Sequence, residues 1–467
     1  MAQVVQEIPR LELRAASGRA VRAEVPRGSF GDWVPAADRR DPVDLLEEQA
    51  QSRVSELVPV RYGRMLTSPL AFFRGGAYLM AADLAPGPRT GLEVQLCGDA
   101  HLSNFGIFAA PDRRLVFSVN DFDETLPGPF EWDVLRLVAS FEVAGRERGL
   151  SPKQRVAINL TVGRAYREAM RQFAQMRHLD VWYSRLDVDD VMRQTATLQD
   201  KQLRRFEAAV AKAHTKDSVK ALAKLTRIQD GVLRIVSDPP LIEPIEDLVD
   251  PAERADLHLR AAAIITAYRD TLPEDRRRLV ERFRYTHAAR KVVGVGSVGT
   301  RAWIMLLLGR DGGDPLFLQF KEAQASVLEP FLGADEFDNH GRRVVEGQRL
   351  MQSSSDIMLG WLRTTGLDGA DRDFYVRQLW DAKGSAPVET MKPSGMLFYA
   401  EICGWTLARA HARSGDPVAI AGYLGSGTAF DQALASFAGR YADQNERDFR
   451  ALQEAAASGR VAVEHGR

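Results

Sequence analysis

At 467 residues the chain is long for a single hydrophobic core, so two or more lobes are expected. Its 62 Lys and Arg balance 63 Asp and Glu, which gives no global reason to expect nucleic acid or an anionic membrane as a partner. Two cysteines make neither a disulfide framework nor a zinc site, no run approaches the roughly 20 apolar residues of a membrane helix, and MAQVVQEIPR lacks a signal-peptide pattern, so a cytoplasmic protein is expected.

Residues 1–40, rich in Arg, Gly and Pro, read as an extended arm. Asp41-Pro42 is a helix start, with Val43, Leu45, Leu46, Val54 and Leu57 at near-helical spacing. Ser68-Pro69 predicts an N-cap and first-turn proline for one helix running to Leu84. The strand-like EVQL of 93–96 then leads into LCGDAHLSNFG, followed by two short apolar runs and NDFDE. This places Asp99, His101, Asn104, Asp121 and Asp123 within 25 residues, on a tight loop and a β-hairpin turning at Pro111-Asp112. Three carboxylates and an amide at strand ends suit a hard divalent cation, which takes oxygen ligands and is shared with phosphate oxygens.

Residues 132–143 carry Val134, Leu137, Val138 and Phe141 on one helical face. From 151 to about 283 nearly everything reads as helix, including 187–213. The basic stretch 212–224 reads as a solvated surface helix. The turn-rich segment 238–251 is the best candidate for an internal boundary.

At 291–323 the texture changes to apolar, β-branched strands broken by glycines. Gly294, Gly296 and Gly299 form G-x-G-x-x-G around Ser297, for which two physical readings stand. One is a dinucleotide-binding turn that opens a helix. The other is a strand-turn-strand flap over ATP phosphates, with a lysine, Lys321, on the next strand. The lysine and the metal-like loop elsewhere favour the flap. Residues 342–353 form a helix on which Glu346 is placed to reach back to Lys321; Glu329, ahead of that helix, is the second candidate, and the alternative for either is a surface carboxylate. Residues 373–379 read as a strand, and 380–384 as a connection edging an adenine pocket.

The loop Gly98-Asp99-Ala100-His101-Leu102-Ser103-Asn104 resembles the catalytic loop of aminoglycoside- and choline-kinase-like phosphotransferases, Gly-Asp-x-His-x-x-Asn. Asp121-Phe122-Asp123 resembles their metal-binding triplet, and 397–413 the helix that precedes their loop. With SPLAFFR at 68–74, the whole chain also resembles a bacterial family of unknown function, number 2252. The kinase resemblance implies an α+β, protein-kinase-like bilobal fold. Its elements stand here in a circularly permuted order, loop before flap, which a site defined by spatial position permits. The blocks expected are an N-terminal arm and helix (1–60), the catalytic-loop and metal-triplet segment of the large lobe (61–145), a helical region (146–290), the small lobe (291–385) and C-terminal helices of the large lobe (386–467).

By resemblance the protein is an ATP- and Mg²⁺-dependent phosphotransferase acting on an unidentified hydroxyl, on a small molecule or a protein, with AMP transfer also open. Asp121 and Asn104 hold the metal, and Asp123 binds a second one or caps the turn. Asp99 accepts the acceptor's proton, Lys321 pairs with the α/β-phosphates, and the 295–299 amides cover them. His101 braces the loop, Asp133 and Arg136 support its backbone, and Arg74 contacts a phosphate or serves as a surface residue. The rivals are a nucleotide-binding pseudokinase and, with less support, a metallophosphoesterase. Oligomeric state is left open.

Overall fold

The apolar texture after Lys291 folds as antiparallel strands. The computed structural model of the chain describes residues 10–195, 218–229, 231–292, 294–379 and 382–466. Among these, six strands form one sheet in the order Gly360–Thr365, Asp371–Gln378, Pro315–Ala323, Ala302–Leu308, Arg284–Lys291, Ile242–Pro244, every neighbour antiparallel. Met305, Leu307, Leu316, Leu318 and Phe320 pack on one face against Tyr268 and Leu272. Ile304, Leu306 and Phe317 pack on the other against Ala221 and Leu225. Successive side chains point to opposite faces, and both faces are covered, so the strands read as near-continuous apolar runs. Periodicity leaves 300–308 open to helix or strand, and Ala302–Leu308 is strand.

The second body is built on helices. The hairpin Phe105–Ala109 and Leu115–Val119 is flanked by the short strands Gly384–Ser385 and Leu186–Asp187. It shares one core with the helices Phe130–Glu147, Pro152–Phe173, Pro393–Ser414 and Ala429–Ala457. Ser151 opens its helix with a full capping box through Gln154, and the Asp41 carboxylate caps Val43 and Asp44. Among the described residues no helix is long and apolar enough to cross a membrane.

Four expectations are corrected. The described part of residues 1–40 is not an extended arm, because Leu11–Glu24 is a helix docked on the helix Pro417–Leu424. Two arginines of the helix and one just after it do the holding: Arg14 pairs with Asp416 at 2.6 Å, and Arg22 and then Arg27 donate to the carbonyls of Tyr423 (2.7 Å) and Leu424 (2.6 Å) at that helix's C-terminus. The helix begun at Pro42 ends at Ala50, and Leu57 sits in a separate short turn, Ser55–Leu57. The helix begun at Pro69 breaks at Gly76 into Pro69–Gly75 and Ala77–Leu84. The stretch 151–283 also carries the strands Thr226–Gln229 and Val232–Ile235 and the edge strand Ile242–Pro244, the last inside the expected connector. Of 187–213, Val188–Thr195 is helix and 196–213 lies outside the described residues. Of 212–224, residues 218–224 belong to the helix Ser218–Leu225, a surface helix as expected, with Lys220 and Lys224 exposed and Ala221 and Leu225 buried on the sheet.

The docked N-terminal helix makes a direct prediction. A Cβ at Gly18 would stand 1.9 Å from the Ala419 carbonyl oxygen, and one at Gly422 would stand 2.4 Å from that of Ala15. Gly18→Ala should therefore cost about 1–3 kcal/mol, the scale of an overpacked contact. A lowered melting temperature with faster proteolysis within 11–24 is the expected result, and a neutral variant would show that the helices do not meet this closely.

Candidate functional site

The strand Glu93–Leu96 pairs with Leu126–Pro129 and delivers the chain into the 97–104 loop. Gly98 turns it at φ +82°, where a Cβ would lie 2.2 Å from the Glu124 carbonyl oxygen, so only glycine fits. Asp133, in the first turn of Phe130–Glu147, accepts hydrogen bonds from the Cys97 and Gly98 amides at 2.6 and 3.0 Å. His411 stands behind it, Nε2 3.2 Å from the Asp133 carboxylate and Nδ1 2.8 Å from the Tyr166 hydroxyl. Leu102 N donates to Ser140 Oγ, and the Tyr399 hydroxyl donates to Leu102 O. The loop is thus clamped from two helices and backed by a third through Tyr166, and Asp133 accepts from the loop backbone. His411, assigned no role from the sequence, belongs to the clamp.

Within the loop, Asn104 Nδ2 donates to Asp99 O at 2.7 Å, which leaves its Oδ1 without a donor among the described residues. The buried His101 ring accepts Ser103 N–H at Nδ1. Burial, with Arg74 and Arg136 nearby, pushes its pKa well down, so the ring is neutral with its proton on Nε2, 3.7 Å from Asp99 Oδ2. This is a bracing histidine. Asp99 Oδ1 receives Arg136 Nε at 2.5 Å. Burial raises the Asp99 carboxyl to about 7 against the pull of Arg136.

The 294–300 turn joins Arg284–Lys291 to Ala302–Leu308 as strand-turn-strand, with no helix after the glycines, which excludes the dinucleotide geometry. It is tied down by residues from another part of the chain: Arg53 Nη1 to Val298 O, Arg64 Nη1 to Gly294 O (both 2.5 Å) and Val54 N to Gly299 O (2.8 Å). Beneath it, buried Lys321 places Nζ 2.5 Å from Asp123 Oδ2 and 3.8 Å from Asp121 Oδ1. Burial works against the Lys321 charge, but Asp121 and Asp123 hold its pKa up. Asp123 also accepts from Ser297 Oγ at 3.2 Å and from the Tyr375 hydroxyl at 2.6 Å. Burial alone would raise Asp123, and Lys321 overrides it, keeping the group ionised. Tyr375 stands opposite Lys321 in the strand register, which is how its hydroxyl arrives there.

One cavity of about 220 Å³ joins these parts. Asp99, His101, Asn104, Asp121 and Asp123 line one side, Gly294, Gly296, Ser297 and Thr300 the other, with Arg53 and Arg74 alongside. Arg74 Nε and Asp121 Oδ1 are both buried without a hydrogen-bond partner among the described residues. Gly299 faces Arg53 instead of the cavity, its φ of +90° closing the turn. Asp121 is therefore the open carboxylate. Asp123, expected as a metal ligand, has both oxygens engaged by Lys321, Ser297 and Tyr375.

Glu346 is the clear correction. It pairs with Arg349 at 3.3 Å and does not reach Lys321. The helix His340–Met351 turns Arg343, Val344 and Gly347 inward, and Gly347 lies so close to Thr125 that a Cβ would meet it at 2.5 Å. Arg343, buried on that face, donates to the backbone carbonyls of Thr125 (2.6 Å), Asp123 (2.9 Å) and Gln324 (2.8 Å). Glu329 accepts Ser326 N–H and also stays away from Lys321. Of the 380–384 connection, 380–381 lies outside the described residues, and Gly384 pairs with Ile107 of the hairpin.

No curated protein and no solved structure matches the chain. A family model does match residues 53–455, a span that takes in the loop, the triplet, the glycine turn and Lys321, and its description reads "uncharacterized protein conserved in bacteria". The chain therefore belongs to that bacterial family, DUF2252.

Proposed function

We propose that the protein is an ATP- and Mg²⁺-dependent phosphotransferase of kinase-like bilobal fold, with the elements in permuted order, acting on a hydroxyl acceptor. The observation that carries this reading is the single cavity. Two blocks almost 200 residues apart in sequence meet there, one bringing Asp99, Asn104 and Asp121, the other a glycine turn; Lys321 does not line the cavity but stands buried behind its wall, 3.8 Å from Asp121 and 2.5 Å from Asp123.

The donor set fits magnesium: an orphaned buried carboxylate oxygen on Asp121 and an undonated amide oxygen on Asn104, both hard ligands. When bound, Mg²⁺ supplies charge neutralisation at the phosphate oxygens. The chain's own groups do the rest. Lys321 stays cationic for the phosphate chain, positioned by Asp123 instead of by a helix glutamate. The turn's backbone approaches closely because it carries glycines. Asp99, at the cavity wall, accepts the acceptor's hydroxyl proton, and Arg136 and His101 fix its direction. Arg74 offers an unpaired N–H to an anionic oxygen at the same wall.

A carboxyl near pH 7 is matched to that work. Below pH 7 Asp99 is mostly protonated and cannot take a proton, so kcat/KM should fall about tenfold per pH unit on the acid side and level off above pH 7. A flat profile from pH 5 to 8 would remove Asp99 from the role of base.

One observation favours a second reading, nucleotide binding without transfer: Lys321 draws its carboxylate from the metal triplet itself. ATP labelled at the γ or α position, presented with a panel of hydroxyl acceptors, separates the cases. Movement of γ-label supports the proposal, and movement of α-label indicates AMP transfer. Binding with neither transfer nor hydrolysis supports the second reading, and absence of binding ends both.

A further inference from the structure

Six carboxylates line the cavity beside the glycine turn: Glu48, Asp99, Asp121, Asp123, Glu124 and Glu322. Four of them keep a cation of their own. Glu48 takes Arg40 at 2.7 Å, Asp99 takes Arg136, Asp123 takes Lys321, and Glu322 takes Arg301 and Arg372, each at 3.3 Å. Asp121 has only the long 3.8 Å contact with Lys321, and Glu124 accepts Val327 N–H at 2.8 Å without an ion pair among the described residues.

Facing them are three arginines with no carboxylate within ion-pair distance among the described residues. Arg74 ends the helix Pro69–Gly75 and lines the cavity, makes no side-chain hydrogen bond to a described residue, and has its Nε buried. Arg53, also in the wall, spends one N–H on Val298 O and has a buried, unpartnered Nε. Burial lowers its pKa to about 10 against the pull of Glu124, Tyr62, Glu322 and Asp123, all beyond ion-pair distance. Arg61 is fully buried behind the same wall, where its Nη2 donates to two wall residues, Gln49 Oε1 at 2.5 Å and Gly75 O at 3.1 Å. Its Nε and Nη1 have no partner, and burial and then Arg53 push its pKa well down. Since Asp121 is the carboxylate proposed for magnesium, Glu124 alone is left to oppose three guanidinium groups.

Their place is not that of Lys321. Arg74 acts on His101 of the 97–104 loop ahead of Arg136, and a Cβ at Gly296 would stand 3.5 Å from the Arg74 carbonyl oxygen. Arg74 therefore stands where the loop that carries Asp99 meets the glycine turn, the end of the cavity where a hydroxyl must lie for Asp99 to take its proton. Arg53 flanks the same turn, its side chain 3.0 Å from where a Gly299 Cβ would be.

We propose that the acceptor is itself anionic, a hydroxyl compound bearing a phosphate group that Arg74 and Arg53 grip while its hydroxyl faces Asp99. This rests on the phosphotransferase reading and names the substrate class for it. The acceptor oxygen bonds to the γ-phosphorus and its proton passes to Asp99, while the bond to the bridging oxygen breaks and its electron pair leaves on ADP. Guanidinium forks match phosphate oxygens and are weakly hydrated, so they suit a partly buried grip.

The test is equilibrium binding of radiolabelled inorganic phosphate to the full chain saturated with Mg²⁺ and AMP-PNP, a non-hydrolysable ATP analogue that fills the nucleotide's own phosphate places. Calorimetric binding of AMP-PNP is measured beside it. Wild type, Arg74→Met, Arg74→Lys and Arg53→Met are compared, with melting temperatures to confirm that each folds. Phosphate should bind the loaded wild-type chain, and Arg74→Met and Arg53→Met should each lose about ten-fold or more of that affinity, the scale of hydrogen bonds to a charged group. Arg74→Lys, which keeps the charge without the fork, should recover part of the loss. Arg53 also ties the turn, so Arg74→Met decides if Arg53→Met does not fold. Unchanged phosphate affinity in folded Arg74→Met, or no phosphate binding to the loaded wild type, overturns the inference and leaves the phosphotransferase reading standing. Phosphate displaced by AMP-PNP, or an AMP-PNP affinity that falls further than phosphate affinity in Arg74→Met, assigns the arginines to the nucleotide and overturns it too. A wild-type chain that binds no AMP-PNP overturns both.

Discussion

Asp121→Asn should abolish metal-dependent transfer while leaving the fold intact. The Asp121 side chain is the one carboxylate of the triplet with a buried oxygen that has no hydrogen-bond partner among the described residues, and its link to the fold is a long 3.8 Å ion pair with Lys321, beside the 2.5 Å one that Asp123 keeps. Its backbone carbonyl, which accepts Cys97 Sγ–H at 3.2 Å, is untouched by the substitution. What the change removes is negative charge beside Lys321, where magnesium is proposed to sit. A loss of at least about 100-fold in kcat is expected, the scale of deleting one preorganised electrostatic group. The melting temperature should move little in either direction. The measurement is single-turnover γ-phosphate transfer across a magnesium series, beside thermal denaturation. A fully active Asp121→Asn enzyme would strip the residue of its role.

The opposite signature is expected at Asp133. This buried carboxylate takes two loop amides and faces His411, which in turn meets Tyr166. Asp133→Ala would leave two N–H groups and an imidazole nitrogen buried with nothing to bond. The cost should be about 3–5 kcal/mol, the scale of leaving two or three buried polar groups without partners. Asp133→Asn keeps one acceptor oxygen and should lose distinctly less. Denaturant unfolding gives the stability difference directly. If Asp133→Ala unfolds at the wild-type midpoint, the clamp described for the 97–104 loop does not exist.

These two residues show how unevenly the site could be read in advance. The loop and triplet were legible because their residues are neighbours in sequence, and a short hairpin leaves little freedom in where they end. Asp133 could be placed because it follows the triplet by ten positions and opens a helix. Tyr375, Arg343 and His411 were not legible. Each reaches the site through register or helix rotation, which a single sequence does not fix: Tyr375 through its pairing with Lys321, Arg343 through the close packing that Gly347 allows. The same rotation misled the reading of Glu346, since periodicity gives a helix two plausible inward faces until its partner is known. The N-terminal helix was hidden for another reason. It docks through arginines and a glycine, so its buried side carries no apolar stripe. In the sheet, β-branched and apolar content announced strands correctly, but the edge strand Ile242–Pro244 is three residues long and sits among prolines, too short to signal itself.

The Arg343 contacts carry a mechanical consequence. One guanidinium holds carbonyls from both walls of the cavity, Asp123 and Thr125 on one and Gln324 on the other, and Glu124 adds a tie through Val327 N and Ser326 Oγ. Walls riveted in this way cannot swing apart like jaws. The part left to yield is the rim, where the glycine turn is held through Arg53, Arg64 and the Val54 amide.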